Sequence, residues 1–316
     1  MLAIAPSKLL QRGMLGMNRR NISYIGKYND RKLYPLVDNK LKTKLLAEKH
    51  RIATPRLRHV LHEQHYVKQL VKQLSESDSF VLKPAKGSGG KGILVITGRS
   101  GDDFIKASGQ IISRADLRRH LSNTLVGLYS LSGATDVAIV EDLIAFDDHF
   151  KGYSHEGVPD IRIIVFQGYP VMAMLRLATH ASDGKANLHQ GAVGVGLAIE
   201  DGRCLHAVQF SRHVTHHPDT GKTLKDIVLP HWQDMLLLAA RCYEMTGLGY
   251  LGVDLVLDKN SGAQLLELNA RPGLAIQIAS DQGLLPRLQH IESIQRIPVS
   301  AIEKVHYAME AFAVRD

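Results

Sequence analysis

A glycine-rich segment most constrains what this chain can fold into. Residues 86–92 (KGSGGKG) contain four glycines and lie between the apolar runs 80–82 and 93–97. Glycine accepts the positive φ angles of tight turns, and short apolar runs bounded by glycine are typical of strands. We therefore predict a β-hairpin whose tip can cradle phosphate oxygens with its N–H groups, beside Lys83 and Lys91. A flexible hairpin without a ligand has the same pattern, and the segment lacks the Gly-Lys-Ser/Thr ending of a P-loop.

Apolar periodicity predicts further helices and strands along the chain. Helical spacing of apolar residues indicates helices at residues 38–52, 66–74 and 230–246. Short apolar runs indicate strands at residues 136–144, 161–166, 170–177, 250–257 and 264–269. Helices and antiparallel hairpins interleave without a steady βαβ rhythm. The predicted fold class is therefore α+β with more than one lobe.

The composition is typical of a globular enzyme. The chain has 316 residues, of which 45% are apolar, and it can bury a sizeable core. No stretch approaches the roughly 18 to 20 apolar residues that span a bilayer, so we expect no membrane span. The cysteines, Cys204 and Cys242, favour a reducing cytoplasm over a disulfide framework. The net charge of +8 is spread along the chain without a recognisable nucleic-acid module, so we expect no nucleic-acid partner.

The N-terminal segment is basic. Residues 1–29 contain five basic residues and no acidic one, which is also the composition of an organellar transit peptide. We favour the alternative that this segment packs on the rest of the chain.

Two predicted C-terminal strands carry polar oxygen donors. Asp254 lies on one strand, and Glu267 and Asn269 lie two residues apart on the next, therefore on the same face of it. Carboxylate and amide oxygens suit Mg²⁺ better than zinc. Both acids are embedded in apolar sequence, where an unpaired buried carboxylate is costly. The pattern predicts a magnesium site, and the alternative is that the acids face solvent.

The complete ordered set of motifs resembles the ATP-grasp superfamily. In chain order the set is Lys40, residues 80–84 (FVLKP), 87–92 (GSGGKG), 141–144 (EDLI) and 160–162 (DIR), Arg176, and residues 187–189 (NLH), 252–254 (GVD) and 267–273 (ELNARPG). Residues 160–273 are most similar to the RimK-like glutamate ligases, and the resemblance covers about residues 36–290. It implies an ATP-grasp fold of two α+β lobes that grip ATP. A short N-terminal segment (1–35) would precede a lobe with the lid hairpin (36–140) and a C-terminal lobe with the metal and substrate site (141–316).

The resemblance also implies that the cofactors are ATP and Mg²⁺, with Mn²⁺ as an alternative metal, and it implies which residues bind them. Lys40 and Lys83 would contact the α- and β-phosphates, and the glycine hairpin would close over the nucleotide. The strand that ends at Ile144 would be the hinge that reads adenine, and Asp148 would contact the ribose. The implied nucleotide-binding residues are Lys40, Lys83, Gly87, Ser88, Gly89, Gly90, Lys91, Gly92, Glu141, Asp142, Leu143, Ile144 and Asp148. The metal ligands are again Asp254, Glu267 and Asn269.

For catalysis, the resemblance implies that Arg176 faces the transferring phosphoryl group and the tetrahedral intermediate. Arg162, Asn187 and Arg271 would orient phosphate or carboxylate groups of the substrates. A structural ion pair is the alternative for each arginine. Residues 187–192 read NLHQGA where RimK-like ligases have Asn-Leu-His-Arg-Gly-Gly, and Lys185 stands where an arginine is common. Because Lys185 and His189 would lie on the substrate side, the motif leaves the added amino acid open.

These implications predict an ATP-dependent ligase that joins a carboxylic acid to an amine through an acyl phosphate. The expected partners are glutamate or a similar amino acid and a carboxylate or peptide acceptor, and the sequence is compatible with a homo-oligomer. One alternative is an ATP-grasp phosphotransferase. Another is a non-catalytic nucleotide-binding regulator, which is disfavoured because a sensor need not keep the metal set together with Arg176.

Overall fold

The computed structural model of the chain describes residues 6–87, 89–130, 133–154, 157–295 and 300–314. The chain divides into two compact units. The first unit comprises Met1–Val37, Leu46–Ala53 and Phe146–Asp316, and the second comprises Asp38–Leu45 and Thr54–Ala145.

The α-helices fall in both units. In chain order they are α1 (Pro6–Gln11), α2 (Met17–Arg19), α3 (Gly26–Tyr28), α4 (Lys40–Lys49), α5 (Val67–Leu74), α6 (Arg114–Leu125), α7 (Trp232–Thr246), α8 (Ala275–Ser280), α9 (Leu285–Glu292) and α10 (Ala301–Ala311). The three helices predicted from apolar periodicity are confirmed as α4, α5 and α7, each slightly shorter than predicted. Within the described ranges, no helix has the length and apolar character needed to cross a bilayer.

The strands form two antiparallel sheets. In chain order they are β1 (Leu57–Leu61), β2 (Phe80–Pro84), β3 (Leu94–Ser100), β4 (Asp103–Lys106), β5 (Ile111–Ile112), β6 (Ala138–Glu141), β7 (Asp160–Phe166), β8 (Tyr169–Leu177), β9 (Val193–Leu197), β10 (Cys204–Gln209), β11 (Arg212–His213), β12 (Tyr250–Asp258) and β13 (Gly262–Asn269). The predicted strands are confirmed, except that the one expected at 136–144 is limited to β6. Beyond Glu141 the Asp142 N–H still donates to the Arg56 carbonyl at 3.0 Å, but residues 142–144 are not part of a strand.

The second unit is a sheet in the order β1-β6-β2-β3-β4-β5 with α5 and α6. Helix α5 forms because Val67, Leu70, Val71 and Leu74 recur at helical spacing and are all buried. Helix α6 begins with a capping box between Ser113 and Asp116. The apolar faces of these elements make one core under the sheet.

The first unit is a sheet in the order β11-β10-β9-β8-β7-β12-β13, with α7 and α10 packed on it. Residues that pair directly across antiparallel strands share a face of the sheet. Arg176 pairs with Asp160, and Arg162 pairs with Asp254, so these four charged residues lie on one face, which we call the charged face. The residues that alternate with them are apolar, and they point to the opposite face.

The N-terminal segment packs on the first unit, as predicted. Tyr24 and Ile25 are buried in its core. The Asn29 side chain donates to the Tyr250 carbonyl at 2.8 Å and accepts from the Tyr250 N–H at 2.8 Å, so it holds the segment against β12.

Candidate functional site

A buried carboxylate in the second unit binds two lysines. Glu141 ends β6, and its two oxygens accept from Lys44 Nζ at 2.8 Å and Lys83 Nζ at 2.6 Å. Lys44 and Lys83 are themselves buried, and Lys44 also donates to the Pro55 carbonyl. Two ammonium groups against one carboxylate leave a local positive charge, which suits an anion such as a phosphate.

The lysines keep Glu141 ionised. Burial by itself raises the pKa of Glu141, but Lys83 and Lys44 outweigh burial and hold the pKa below its ordinary value of 4.5. The position of Lys83 in this cluster is compatible with the phosphate role that the resemblance implies. The nucleotide-binding role of Glu141, on the strand that would read adenine, stays a prediction.

Lys40 contacts the base of the glycine hairpin. Its backbone N–H donates to the Ala85 carbonyl at 2.8 Å, and its Nζ donates to the Gly87 carbonyl at 2.7 Å. The hairpin itself is confirmed, because β2 and β3 pair directly with Phe80 opposite Ile96.

At the tip of the hairpin, Gly89, Gly90 and Lys91 are exposed. Both glycines have positive φ, which explains why glycine stands at these positions. Exposed N–H groups in such a turn can bind phosphate oxygens. Ser88, which was predicted to contact the nucleotide, lies outside the described residues.

The hairpin is anchored on its C-terminal side by a ring. Gly92 has a φ of +75°, and a Cβ there would lie 2.4 Å from Cγ of Tyr129. The His120 ring contacts the Gly92 carbonyl at 3.0 Å and is stacked on Tyr129. Neither ring was predicted from the sequence.

The other residues predicted to bind the nucleotide differ in their surroundings. Asp142 forms an ion pair with Arg58, Leu143 is half-buried, and Ile144 is buried. Asp148, in the first unit, is exposed and pairs with Lys259 at 2.6 Å. This contact lowers the pKa of Asp148.

Two arginines and two carboxylates form a buried cluster on the charged face. Arg162 donates to Asp254 with two nitrogens, at 2.7 and 2.6 Å. Arg176 donates to Asp160 with two nitrogens, and its Nη2 also lies 2.9 Å from an Asp254 oxygen. Arg162 and Arg176 therefore both form the structural ion pairs that are the alternative to a substrate role. Such planar, bidentate pairs fix the direction of the remaining guanidinium donors.

Burial and the two arginines act in opposite directions on the pKa values of the two acids. Burial raises the pKa of Asp160 above its ordinary value, against the effect of Arg176 and with the help of Asp254. Burial also raises the pKa of Asp254, but Arg162 and Arg176 together outweigh it and lower that pKa. Asp254 is therefore the acid that stays ionised most firmly.

The predicted metal ligands converge on the charged face. Asp254 pairs directly with Glu267, and Asn269 lies two residues further along β13, so the predicted same-face arrangement is confirmed. Asn269 Nδ2 lies 3.3 Å from an Asp254 oxygen. In the part of the chain that the structure describes, no cluster of three or more His, Cys, Asp or Glu side chains is suited to a metal, so the Asn269 amide would have to be the third ligand. Arg162 Nη2, Arg176 Nη2 and Asn269 Nδ2 all contact Oδ2 of Asp254, whereas Oδ1 accepts from Arg162 Nε and has a second lone pair for Mg²⁺, so the set fits this ion.

The predicted substrate residues lie in the same unit. Asn187 caps the short helix Leu188–Gln190 by accepting from the His189 N–H at 3.0 Å, and the His189 side chain is exposed. Lys185 is exposed beside Asp183. Arg271 is exposed, and its guanidinium lies 5.2 Å from the centre of the Tyr34 ring.

Two buried residues of the site had no predicted role. Lys44 follows Lys40 by four residues, so the helical repeat that places both on one face of α4 was available from the sequence. Asp160 belongs to the motif DIR, and its spacing of two from Arg162 indicates a shared face. What the sequence lacks is any sign that Lys44 meets Glu141 or that Asp160 meets Arg176.

The sequence matches no curated protein. Among solved structures, the chain is similar to the ATP-grasp ligase PsnB complexed with its minimal precursor, with 12% identity and a TM-score of 0.45 over 89% of this chain and 63% of that one. It is also similar to D-alanyl-alanine synthetase A from Vibrio cholerae, with 11% identity and a TM-score of 0.47 over 89% and 66% of the two chains. It is similar as well to D-cycloserine synthetase DcsG, with 15% identity and a TM-score of 0.46 over 84% of this chain and 72% of that one. The chain thus spans less than two thirds of the length of PsnB.

A family match covers most of the chain. Residues 19–293 match the family described as sugar-transfer associated ATP-grasp. The match confirms the predicted ATP-grasp fold, whereas the closer likeness to RimK-like ligases stays a prediction. The chain therefore belongs to the sugar-transfer associated ATP-grasp family.

Proposed function

We propose that this protein is an ATP-dependent ligase that joins a carboxylic acid to an amine. The observation that carries the proposal is the charged face of the first unit. There, Arg162 and Arg176 lie against Asp254, and Asp254 lies opposite Glu267. One sheet thus presents guanidinium N–H groups suited to a developing negative charge, and carboxylate oxygens suited to a metal ion.

The proposed reaction has two steps. An oxygen of the substrate carboxylate attacks the γ-phosphorus of ATP, the bond to the bridging β,γ-oxygen breaks, and ADP leaves. The amine then attacks the acyl carbon of this acyl phosphate, the carbon–oxygen bond breaks, and the amine loses a proton as phosphate leaves. Arg176 orients the acyl oxygen and stabilises its negative charge in both steps.

The remaining residues position the reactants. Lys40, Lys83 and the exposed hairpin amides hold the phosphates of ATP, where positioning and charge neutralisation dominate phosphoryl transfer. Asp254, Glu267 and Asn269 hold Mg²⁺, which when bound neutralises phosphate charge. Asn187, His189, Lys185 and Arg271 orient the substrates.

The class of substrate is proposed from three sources. The resemblance to RimK-like ligases suggests glutamate or a similar amino acid as the amine. PsnB has also been solved with the precursor peptide PsnA2, which suggests a peptide as one acceptor. The family description suggests a sugar derivative that carries a carboxylate or an amine.

We also propose that the protein works in a reducing compartment such as the cytoplasm. Cys204 and Cys242 are free thiols. Burial raises the pKa of Cys204 to about 11, so this thiol is a poor nucleophile at neutral pH.

The proposed function is tested with a panel of acids and amines. Amino acids, uronic acids, amino sugars and short peptides are combined with ATP and Mg²⁺, and ADP release is measured. With the correct acid alone, hydroxylamine is expected to trap the acyl phosphate as a hydroxamate in step with ADP release. A phosphorylated alcohol or phosphate without hydroxamate would identify a phosphotransferase instead. No affinity for Mg–ATP in calorimetry would contradict both activities.

Substitution of Glu267 by glutamine tests the metal site. The variant keeps the size of the side chain but replaces an anionic ligand with a neutral one. We expect the Mg²⁺ concentration for half-maximal ADP release to rise roughly 10- to 100-fold, with an unchanged melting temperature. Glu310→Gln, at an exposed position of α10 outside the metal set, is the control for the loss of one negative charge. An unchanged Mg²⁺ requirement in Glu267→Gln would remove Glu267 from the site.

A further inference from the structure

Both ends of the glycine turn (residues 87–92) contact the short segment that follows α6. At the C-terminal end, a Cβ at Gly92 would lie 2.4 Å from Cγ of Tyr129, so the ring packs directly on the Gly92 backbone. At the N-terminal end, Gly87 forms an antiparallel bridge with Ser130. Tyr129 and Ser130 are consecutive in the chain, so one segment holds both ends of the turn.

This segment is itself fixed to the end of α6. Gly127 has a φ of +85°, and its N–H donates to the Thr124 carbonyl at 3.0 Å. The Leu128 N–H donates to the Asn123 carbonyl, also at 3.0 Å. Together these bonds form a Schellman motif, in which a glycine with positive φ ends a helix. A Cβ at Gly127 would lie 2.1 Å from the Ala134 carbonyl oxygen, so only glycine fits there. The residues that hold the turn therefore follow directly on a well-defined helix end.

Helix α6 makes a second contact with the turn through His120. Nε2 of His120 lies 3.0 Å from the Gly92 carbonyl oxygen, and Nδ1 lies 3.3 Å from the Tyr129 hydroxyl. A carbonyl oxygen can only accept, so Nε2 carries the proton and donates. Burial lowers the pKa of His120 below its ordinary value of 6.5, with the help of Lys106 and against the effect of the Gly92 carbonyl. The ring is therefore neutral at pH 7, and Nδ1 accepts from the Tyr129 hydroxyl.

A buried carboxylate holds the N-terminal end of the turn. Asp136 is 4% exposed, and its two oxygens accept from the Lys86 N–H at 3.1 and 3.0 Å. The same carboxylate accepts from the Ser130 hydroxyl at 2.8 Å and from the Val137 N–H at 2.7 Å. Hydrogen bonds thus continue from β2 up to the first residue of the turn.

The tip of the turn, by contrast, is open to solvent. Gly89, Gly90 and Lys91 are exposed, and a Cβ at either glycine would meet no described atom within 4 Å. The Ile93 N–H donates to the Gly90 carbonyl at 3.3 Å and closes the turn. Two fixed ends and an open tip make a preformed cradle for an anion, because the exposed N–H groups are already held close together.

We infer that Tyr129 and His120 are positioning residues for the polyphosphate of ATP. Acting through Gly92, they hold the glycine turn in its binding conformation before the nucleotide is present. The inference rests on the proposed binding of Mg–ATP, and it adds two residues that no sequence motif indicated. Order that exists before binding lowers the entropy cost of binding, so the two rings raise the affinity for polyphosphate without contacting it.

Calorimetry on the intact chain tests the inference, with Mg–ATP and Mg–tripolyphosphate as ligands. In Tyr129→Ala, the Kd for both is expected to rise roughly tenfold, because the ordering of about one backbone residue is added to the cost of binding. Tyr129→Phe keeps the ring on Gly92 and loses one long hydrogen bond, so its Kd should stay within roughly threefold of the wild type. Tyr66→Ala is the matched control, since Tyr66 also packs on a histidine ring, that of His65, in the same unit but outside the turn.

A second pair of variants changes the backbone instead of the ring. Gly92→Ala places a Cβ against Tyr129 at a φ of +75° and is expected to weaken tripolyphosphate binding roughly tenfold or more. Gly101→Ala, in the turn between β3 and β4, also places a Cβ at positive φ, but that Cβ meets no described atom within 4 Å. It therefore has similar backbone strain without the contact, and it should bind tripolyphosphate as the wild type does.

Hydrogen exchange in the ligand-free protein separates positioning from a general loss of stability. Tyr129→Ala is expected to lose protection in peptides that cover residues 86–93, while α5 and β6 exchange as in the wild type. A residue that only stabilises the unit would lower protection in α5 and β6 as well. Tyr129→Phe is expected to restore the protection of residues 86–93.

The outcomes distinguish this inference from the proposed function. Weaker polyphosphate binding in Tyr129→Ala and Gly92→Ala, with both controls unchanged, supports it. An unchanged Kd in Tyr129→Ala, a loss of protection throughout the second unit, or no polyphosphate binding by the wild type would overturn it, even where hydroxamate formation supports a ligase. If the variants weaken polyphosphate binding as expected and no acid of the panel yields a hydroxamate, the ligase proposal fails and the role of the two rings stands.

Discussion

Replacement of Arg176 by alanine is expected to lower kcat roughly 10² to 10³-fold while the Kd for Mg–ATP changes only a few-fold. Arg176 is proposed to stabilise negative charge that exists only while phosphoryl transfer and amine attack proceed. Loss of one such preorganised donor removes about 3 kcal/mol of transition-state stabilisation. The measurement is ADP release with the best acid and amine of the panel, together with ATP calorimetry.

The buried position of Arg176 complicates this measurement, because the variant also leaves Asp160 without its bidentate partner. Breaking a buried pair in this way typically costs about 3 to 5 kcal/mol of stability. Rates must therefore be normalised to folded protein. Arg287→Ala is the control, since Arg287 donates to the Val171 carbonyl and to Gln282 without contacting the charged cluster. Arg176→Lys keeps the positive charge but loses the planar guanidinium and its paired N–H donors. If kcat per folded molecule were unchanged in both Arg176 variants, Arg176 would be a structural residue only.

The second large effect concerns Glu141, whose replacement by glutamine is expected to lower the free energy of unfolding by about 3 to 5 kcal/mol at pH 7. The variant leaves Lys44 and Lys83 buried without their carboxylate. Unfolding in urea, followed by circular dichroism, measures the difference. Asp102→Asn, which removes the partner of Arg114 from an exposed pair in the same unit, is expected to have little effect.

The effect of Glu141 depends on pH in a defined direction. The lysines lower the pKa of Glu141 in the folded protein, so its contribution to stability is complete above the ordinary value of 4.5. It is lost as the pH falls through the folded pKa, because protonation then favours the unfolded chain. The difference in free energy of unfolding between wild type and Glu141→Gln should therefore become smaller below pH 4.5. A gap that stayed constant down to acid unfolding would show that charge on Glu141 is not what stabilises the unit.

Much of the sheet structure could be predicted from the sequence because strand periodicity is local. An alternation of two residues placed Glu267 and Asn269 on one face, and the pairing of Asp254 with Glu267 confirmed that arrangement. The glycine segment likewise gave the β2–β3 hairpin, because only a few turn geometries join adjacent strands. The metal and nucleotide roles of these residues stay predictions.

The contacts between distant segments could not be predicted in the same way. Glu141 and Lys44 lie on different elements, and no local pattern shows that a strand end and a helix meet. The β10–β11 hairpin was also missed, because Phe210 and Ser211 lack the glycine or asparagine that marks such a turn. Both residues have positive φ, which is a strained conformation for residues with a side chain, so no turn was predicted at this position.

The contacts of Asp254 with Arg162 and Arg176 have a consequence for cooperativity. If Mg²⁺ binds Asp254 as proposed, the ion shares the carboxylate with the two arginines and offsets part of its negative charge, so the guanidinium N–H groups attract phosphoryl oxygens more strongly. Cation and anion binding would then share a coupling free energy. Thermodynamic linkage requires that coupling to be reciprocal, so Mg²⁺ would raise the affinity for the anion by the same factor by which the anion raises the affinity for Mg²⁺. The protein would therefore take up the metal and the phosphate together more readily than either one alone.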